Sequence, residues 1–245
     1  MRYFFRVEYD GAAYGGWQHQ KTAPSIQDAI SRAFSIVART PCVVTGAGRT
    51  DAGVHASAQG AHVDLGGPLD IRSFEHSVNA LLPNDIAIYK MQTVDDAFHA
   101  RFSAVSRRYC YRICGRKRPL LYNRTWPVFY TVNWDCIREE AALLPGVRDF
   151  TAFCSSGGGT AHARCEVLHS SFETNADGAV FTIEANRFVY NMVRTLVGTL
   201  VDIGRGRLTG PLTDIIESKD RRRVGTTAPA CGLTLEYVTY QGVDR

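Results

Sequence analysis

Strand and helix patterns come in two successive rounds along this chain, and that order narrows the fold more than any other feature. The first round opens with the strand "RYFFRVEY", which ends at Asp10-Gly11, and passes through the loop "YGGWQHQKTAP". "SIQDAISRAFSIVA" reads as an amphipathic helix, with Ser25 as N-cap and Ile26, Ile30, Ala33, Phe34 and Val37 on one face. "CVVTG" and "GAHVDL" read as strands, "IRSFEHSVNALL" as a helix stopped by Pro83, and "DIAIYKMQ" as a strand. After "FHARFSAVS" the pattern restarts: "RRYCYRIC" is a strand and "WDCIREEAALL" a helix capped by Asn133. "CEVLHSSFE" and "AVFTIEA" form a hairpin-like pair around Asn175 to Gly178. "RFVYNMVRTLVGTLVDI" is the longest and most apolar helix, "GPLTDIIES" starts another with Pro211 in its first turn, and "LTLEYVTY" is a closing strand. This is α+β logic, with helices packed on a mixed or antiparallel sheet. The join falls near residues 103–106 without a low-complexity linker, so the two halves are expected to share one continuous sheet or core. Gly157-Gly158-Gly159 is expected to mark a mobile loop.

The chain has 245 residues, enough for one large domain or two small ones with a real core. No window approaches a membrane span, and "MRYFFRVEYDG" lacks the sustained apolar run of a secretory leader, so neither is expected. Seven cysteines without C-x-x-C spacing argue against a disulfide framework or a structural zinc site and point to a reducing cytoplasm. The net charge of +4 is unevenly spread. Residues 1–105 carry nine Lys+Arg against ten Asp+Glu, and residues 106–245 nineteen against fourteen. Arginines cluster at Arg107-Arg108, Arg116-Lys117-Arg118 and Arg221-Arg222-Arg223. Their planar forks suit phosphate, although a solvated surface would read the same way.

"TGAGRTDAGVHASAQGAHVDL", Thr45 to Leu65, is the densest chemical signal. It matches neither G-x-G-x-x-G nor G-x-x-x-x-G-K-[ST], no helix follows it directly, and an aspartate at its centre would repel phosphate. Two readings stay open. Asp51 supports a tight turn in which Gly53 takes a positive φ. Alternatively Asp51 is a reactive carboxylate in a cleft floor, with glycines letting a substrate approach the backbone. His55, taken alone, reads as a loop-structuring imidazole, and Trp17 and Gln18 as packing near the loop.

"GRTDAGVHASAQGAH" resembles the signature of the tRNA pseudouridine synthase A family. So do "YGGWQHQKTAPSIQDAI", "LLPNDIAIYKMQTVDDAFHARFSAVSRRYCYRI", "GVRDFTAF", "NRFVYNMVRTLVGTL" and "APACGLTLEYVTY", in the family's order and across nearly the whole chain. The segment "CSSGGGTAHARCEV" departs from the pattern, so no RNA contact is carried over from Cys154 to Arg164. The resemblance implies two pseudo-symmetric RRM-like halves, residues 1–105 and 106–245, with a central RNA-binding cleft. It implies isomerisation of uridine to pseudouridine on the 3′ side of the tRNA anticodon stem-loop. No cofactor or metal is implied, and the expected partners are tRNA and a second copy of the chain, in the cytoplasm.

Residue roles follow from the same resemblance. Asp51 matches the catalytic nucleophile, attacking ribose C1′ or uracil C6. Arg194 matches its ion-pair partner, and Tyr109 the tyrosine lying against the target base. Arg49 matches the arginine that supports base flipping, which a stacked and paired uridine requires. Phe98, His99, Ala100, Arg101 and Phe102 match a tRNA-contacting segment, with Arg101 as the phosphate partner, and Lys117 is a further RNA candidate. Two rivals stand beside this reading. One is a non-catalytic RNA-binding module of RRM-like halves, disfavoured because "RRYCYRIC" does not fit the RNP1 pattern. The other is a carboxylate-dependent hydrolase of a small nucleotide.

Overall fold

The computed structural model describes residues 1–155 and 162–243, which fall into two units. The first comprises Met1–Val105 with Thr234–Arg245, and the second Ser106–Leu233. In chain order the first unit begins with β1 (Arg2–Tyr9), α1 (Ile26–Ala38), β2 (Thr45–Gly46), β3 (His55–Asp64), α2 (Ile71–Leu81) and β4 (Ile86–Val94). The second unit follows with β5 (Ala104–Cys114), β6 (Trp126–Pro127), α3 (Trp134–Ala142), β7 (Gly146–Asp149), β8 (Arg164–Asn175), β9 (Gly178–Ala185), α4 (Met192–Gly204) and α5 (Leu212–Ser218). β10 (Leu233–Tyr240) closes the first unit. Both units mix helices with mostly antiparallel sheet, the α+β class that the patterning implies. Among the described residues, no helix is long and apolar enough to cross a membrane.

In the first unit β1 lies between β4 and β3, antiparallel to both, and β10 runs parallel to β3 through Thr234↔His55 and Leu235↔Ala56. Strand periodicity sends alternate β1 side chains to opposite faces. Phe5 stacks on Phe34 of α1 at 5.0 Å, and Phe34 meets Phe74 of α2 at 5.7 Å. Each such buried ring contributes about 2 kcal/mol of transfer free energy. On the other face Phe4 packs edge-on to Phe98 and Tyr240, at 5.5 and 5.2 Å. Ser25 caps α1 by accepting the Asp28 N–H. Leu82, just before Pro83, is already extended, as a residue preceding proline prefers.

Residues 42–44 were expected to be strand, but only Thr45–Gly46 pair with β3. Serines of α1 satisfy the preceding backbone instead. Cys42 N–H donates to Ser35 Oγ at 2.9 Å, and Val44 N–H to Ser31 Oγ at 3.1 Å.

In the second unit the sheet order is β5-β9-β8-β7, all antiparallel, with β6 beside β5. Asn175 and Gly178 pair across the expected hairpin turn, where Asn175 Oδ1 accepts the Asp177 and Gly178 N–H groups. Asn133 caps α3 as expected. The longest apolar helix was expected from Arg187, yet α4 starts at Met192 because Asn191 takes a left-handed conformation, φ 63°. Pro211 stands at the N-cap of α5 rather than inside its first turn. The Gly157-Gly158-Gly159 run lies outside the described residues.

Candidate functional site

Asp51 sits at the turn of an arm that leaves β2 and returns as β3. The arm is fixed from several sides. Ala47 N–H donates to Gly60 O at 2.8 Å, and the fully buried Gln59 donates through Nε2 to Gly48 O at 2.9 Å. Thr50 is buried, with its hydroxyl 2.8 Å from that of Tyr9, and its carbonyl accepts the Trp17 N–H at 3.1 Å. Asp51 O accepts the Val54 N–H at 3.1 Å, and Gly53 turns the chain with φ 77°. The tight turn is therefore real. It also leaves the Asp51 side chain half-buried and Arg49 exposed.

The neighbours of the arm explain residues that the sequence left vague. Trp17 is 3% exposed, and its ring lies where a Cβ on Gly46 would stand, 2.5 Å away. A Cβ on Gly60 would meet the Tyr240 ring. These two glycines thus clear protein side chains rather than a substrate, contrary to the expectation that glycines here open the backbone to a ligand. His55 is buried at the start of β3. Its Nδ1 accepts the Gly11 N–H at 3.1 Å and lies 3.0 Å from Asp10 Oδ1. The imidazole ties the end of β1 to the Asp51 turn, the loop-structuring role expected of it.

The segment Phe98–Phe102 lies at the other end of β3. His55 and His62 are seven residues apart, roughly 23 Å of strand. Phe98 is packed into the unit, and Ala100 is fully buried. His62 Nδ1 accepts the Ala100 N–H at 3.1 Å, and Tyr240 Oη donates to Ala100 O at 2.7 Å. His99 Nδ1 accepts the Arg101 N–H at 3.1 Å. Anchored this way, the segment presents Arg101 and Phe102 to solvent, and Phe102 is 77% exposed. The structure does not bring this segment to Asp51.

Tyr109 lies mid-β5, opposite Ile183 of β9, half-buried and edge-on to Phe188 at 5.0 Å. It is not the core tyrosine of its strand. That is Tyr111, two residues on and on the same face, fully buried and donating to Pro229 O at 2.8 Å. Burial pushes the Tyr111 hydroxyl well above the usual tyrosine range, and the charge of Arg194 opposes that rise. Tyr111 thus neighbours Tyr109 along β5 and lies within the electrostatic reach of Arg194.

Arg194, in the first turn of α4, is half-buried and held at two points. Its Nε donates to Ala228 O at 2.9 Å, and Nη1 to Asn191 Oδ1 at 2.9 Å. The Ala228 N–H returns to Arg194 O at 3.1 Å. Residues 225–228 lie tight against α4: Gly225 N–H donates to Thr199 Oγ1 at 3.0 Å, and Thr226 N–H to Asp202 Oδ2 at 3.0 Å. Gly198 makes that approach possible, since a Cβ there would overlap Thr226 O.

Lys117 is exposed beyond the end of β5. The arginine clusters are largely occupied inside the second unit. Arg107 Nη1 donates to Asn186 O, Arg108 pairs with Glu184, and Arg116 and Arg118 share Asp177. Arg221 to Arg223 are exposed, yet Arg222 pairs with Asp220 and Arg221 Nη1 lies 3.3 Å from Ala152 O. Sequence reasoning missed Gln59, His62, Tyr111 and Asn191. The available signals were weak ones: polar residues inside strands, and an asparagine within an otherwise apolar helical run.

Comparison with known proteins adds the family. A family model described as tRNA pseudouridine synthase matches residues 6–103 and 141–241. That span holds the Asp51 arm, the 98–102 segment and Arg194, and leaves out Tyr109 and Lys117. A tRNA pseudouridine synthase A of Porphyromonas gingivalis is 41% identical over 244 residues, covering 98% of this chain and 97% of that protein. The protein of the same name from Neorickettsia sennetsu is 42% identical over 244 residues, covering 98% and 100%. Similarity at this level through both units leaves one assignment: the chain belongs to the tRNA pseudouridine synthase family.

Proposed function

We propose that this enzyme isomerises uridine to pseudouridine on the 3′ side of the anticodon stem-loop of tRNA, with Asp51 as nucleophile. The observation that carries the reading is the family match across the Asp51 arm and the Arg194 helix alike. The C1′–N1 bond breaks, the uracil turns, and a C1′–C5 bond forms. The hydrogen lost from C5 is balanced by one gained at N1, so the base keeps its formula and no cofactor is consumed. Covalent attack by a carboxylate holds one partner while the other turns, which is why a nucleophile is needed for a reaction with no net transfer.

The remaining roles belong to the same proposal. Arg194 serves the aspartate as its ionic partner, because a carboxylate shut off from water needs a nearby cation. Tyr109 lies against the flipped base and helps remove the C5 proton, and an aromatic face suits that position. Arg49 supports flipping by taking the place the base leaves. Arg101 and Phe102 meet the RNA backbone, carried on a segment that Phe98, His99 and the buried Ala100 anchor, and Lys117 is a further contact. The strand length between the Asp51 arm and residues 98–102 supports contact with the stem rather than with the target uridine. A homodimer with tRNA across both subunits, working in the cytoplasm, follows the family resemblance.

The test is to map pseudouridine in an unmodified tRNA transcript incubated with the purified chain. We expect new pseudouridines confined to the 3′ side of the anticodon stem-loop, with no change in RNA mass. Modification only elsewhere would refute the assigned site, and a mass change would favour the hydrolase.

A further inference from the structure

Four non-glycine residues among those described have a positive φ. Arg39 and Lys219 close α1 and α5, where left-handed residues commonly end helices. Lys90 sits where β4 shifts register against β1. Asn191 differs, because it opens a helix, and residues at that position are normally extended and cap the helix with their side chain. At φ 63° and ψ 7° the Asn191 side chain makes no capping bond. It bridges instead: Oδ1 accepts from Arg194 Nη1 at 2.9 Å, and Nδ2 donates to Ser155 Oγ at 3.1 Å. The Ser155 N–H donates to Tyr190 O at 3.1 Å, so the strut is tied back to the residue just before Asn191.

Glycine would meet the backbone demand at position 191 with less strain than asparagine. An asparagine there is explained by what its side chain does. We infer that Asn191 is a positioning residue for the reaction: its amide fixes the guanidinium of Arg194 at one end while Ala228 O fixes it at the other. A planar fork held at Nε and Nη1 cannot turn about its long axis, so its remaining edge keeps one direction. The left-handed backbone aims the Asn191 amide at Arg194, one turn into the helix, instead of at the helix's own free N–H groups. The inference rests on the proposed role of Arg194 and adds the group that orients it.

Asn191→Gly and Asn191→Ala separate the side chain from the backbone. Turnover is measured as tritium released from a tRNA transcript labelled at uridine C5, and folding as Tm. Both variants are expected to lose turnover on the order of tenfold, with KM for tRNA within about twofold, since one hydrogen bond to a charged group is lost. Both lose the same side-chain bonds, but their stabilities should diverge, with the alanine variant's Tm below the glycine variant's by roughly 2–4 °C because only glycine fits the left-handed backbone without strain. Wild-type turnover in Asn191→Gly would overturn the inference, as would losses that follow Tm rather than the side chain. Arg194→Ala is run beside them. If it keeps wild-type turnover, the role of Arg194 itself is withdrawn, whereas an inactive Arg194→Ala with a fully active Asn191→Gly refutes only the positioning role.

Discussion

His62 is a titratable side chain kept almost wholly out of water, at 5% exposure. Burial pushes its imidazole down to about 4, helped by the nearby charges of Arg2 and His99. Its Nδ1 must stay unprotonated to accept the Ala100 N–H. The folded value lies below the ordinary one near 6.5, so between about pH 6.5 and 4 the unfolded chain holds a proton that the folded chain does not. The stabilisation is therefore complete above that window and is lost as pH falls through it, to a total on the order of 3 kcal/mol. His62→Asn keeps an acceptor and cannot titrate. We expect its stability to fall less than the wild type's between pH 6.5 and 4, measured by urea unfolding. Equal pH dependence in the two proteins would contradict the assignment to His62.

At the scale of elements, α4 and the stretch 225–228 form the support of Arg194. Gly→Ala inside a helix ordinarily gains about 1 kcal/mol from propensity. Gly198→Ala should have the opposite sign, because its methyl would displace Thr226 and with it Ala228, the acceptor of Arg194 Nε. We expect a loss of about 1–3 kcal/mol, the usual cost of overpacking, with a fall in turnover. A stabilised and fully active Gly198→Ala would show that the close approach is not needed. Most elements could be read from the sequence because periodicity and caps are local, as Ser25 and Asn133 illustrate. The misreadings lie where distant side chains decide. Ser31 and Ser35 take the backbone of residues 42–44, and the Asn191 amide reaches Ser155 and Arg194, neither of which a hydrophobic pattern encodes. The Asp51 turn could be read from Gly53 alone, whereas the support of Gly46 by Trp17 could not.

Across the whole molecule, much of the basic excess is engaged in protein contacts. The second unit carries most of the basic excess, yet Arg107, Arg108, Arg116, Arg118, Arg221 and Arg222 bond to protein groups. Arg49, Arg101 and Lys117 are the exposed cations to which the family resemblance gives a role, and they are far fewer than the sequence total suggests. If only these three meet phosphate, as we propose, tRNA affinity should depend shallowly on salt. Our proposal rests the chemistry on one carboxylate, Asp51, at the turn of the β2–β3 arm. The most direct measurement of that claim is tritium release from C5-labelled uridine in a tRNA transcript, wild type against Asp51→Ala. We expect stoichiometric release by the wild type and none above background by Asp51→Ala, with the variant's Tm unchanged within a few degrees; release at the wild-type rate by Asp51→Ala, or none by the wild type on any tRNA, would contradict it.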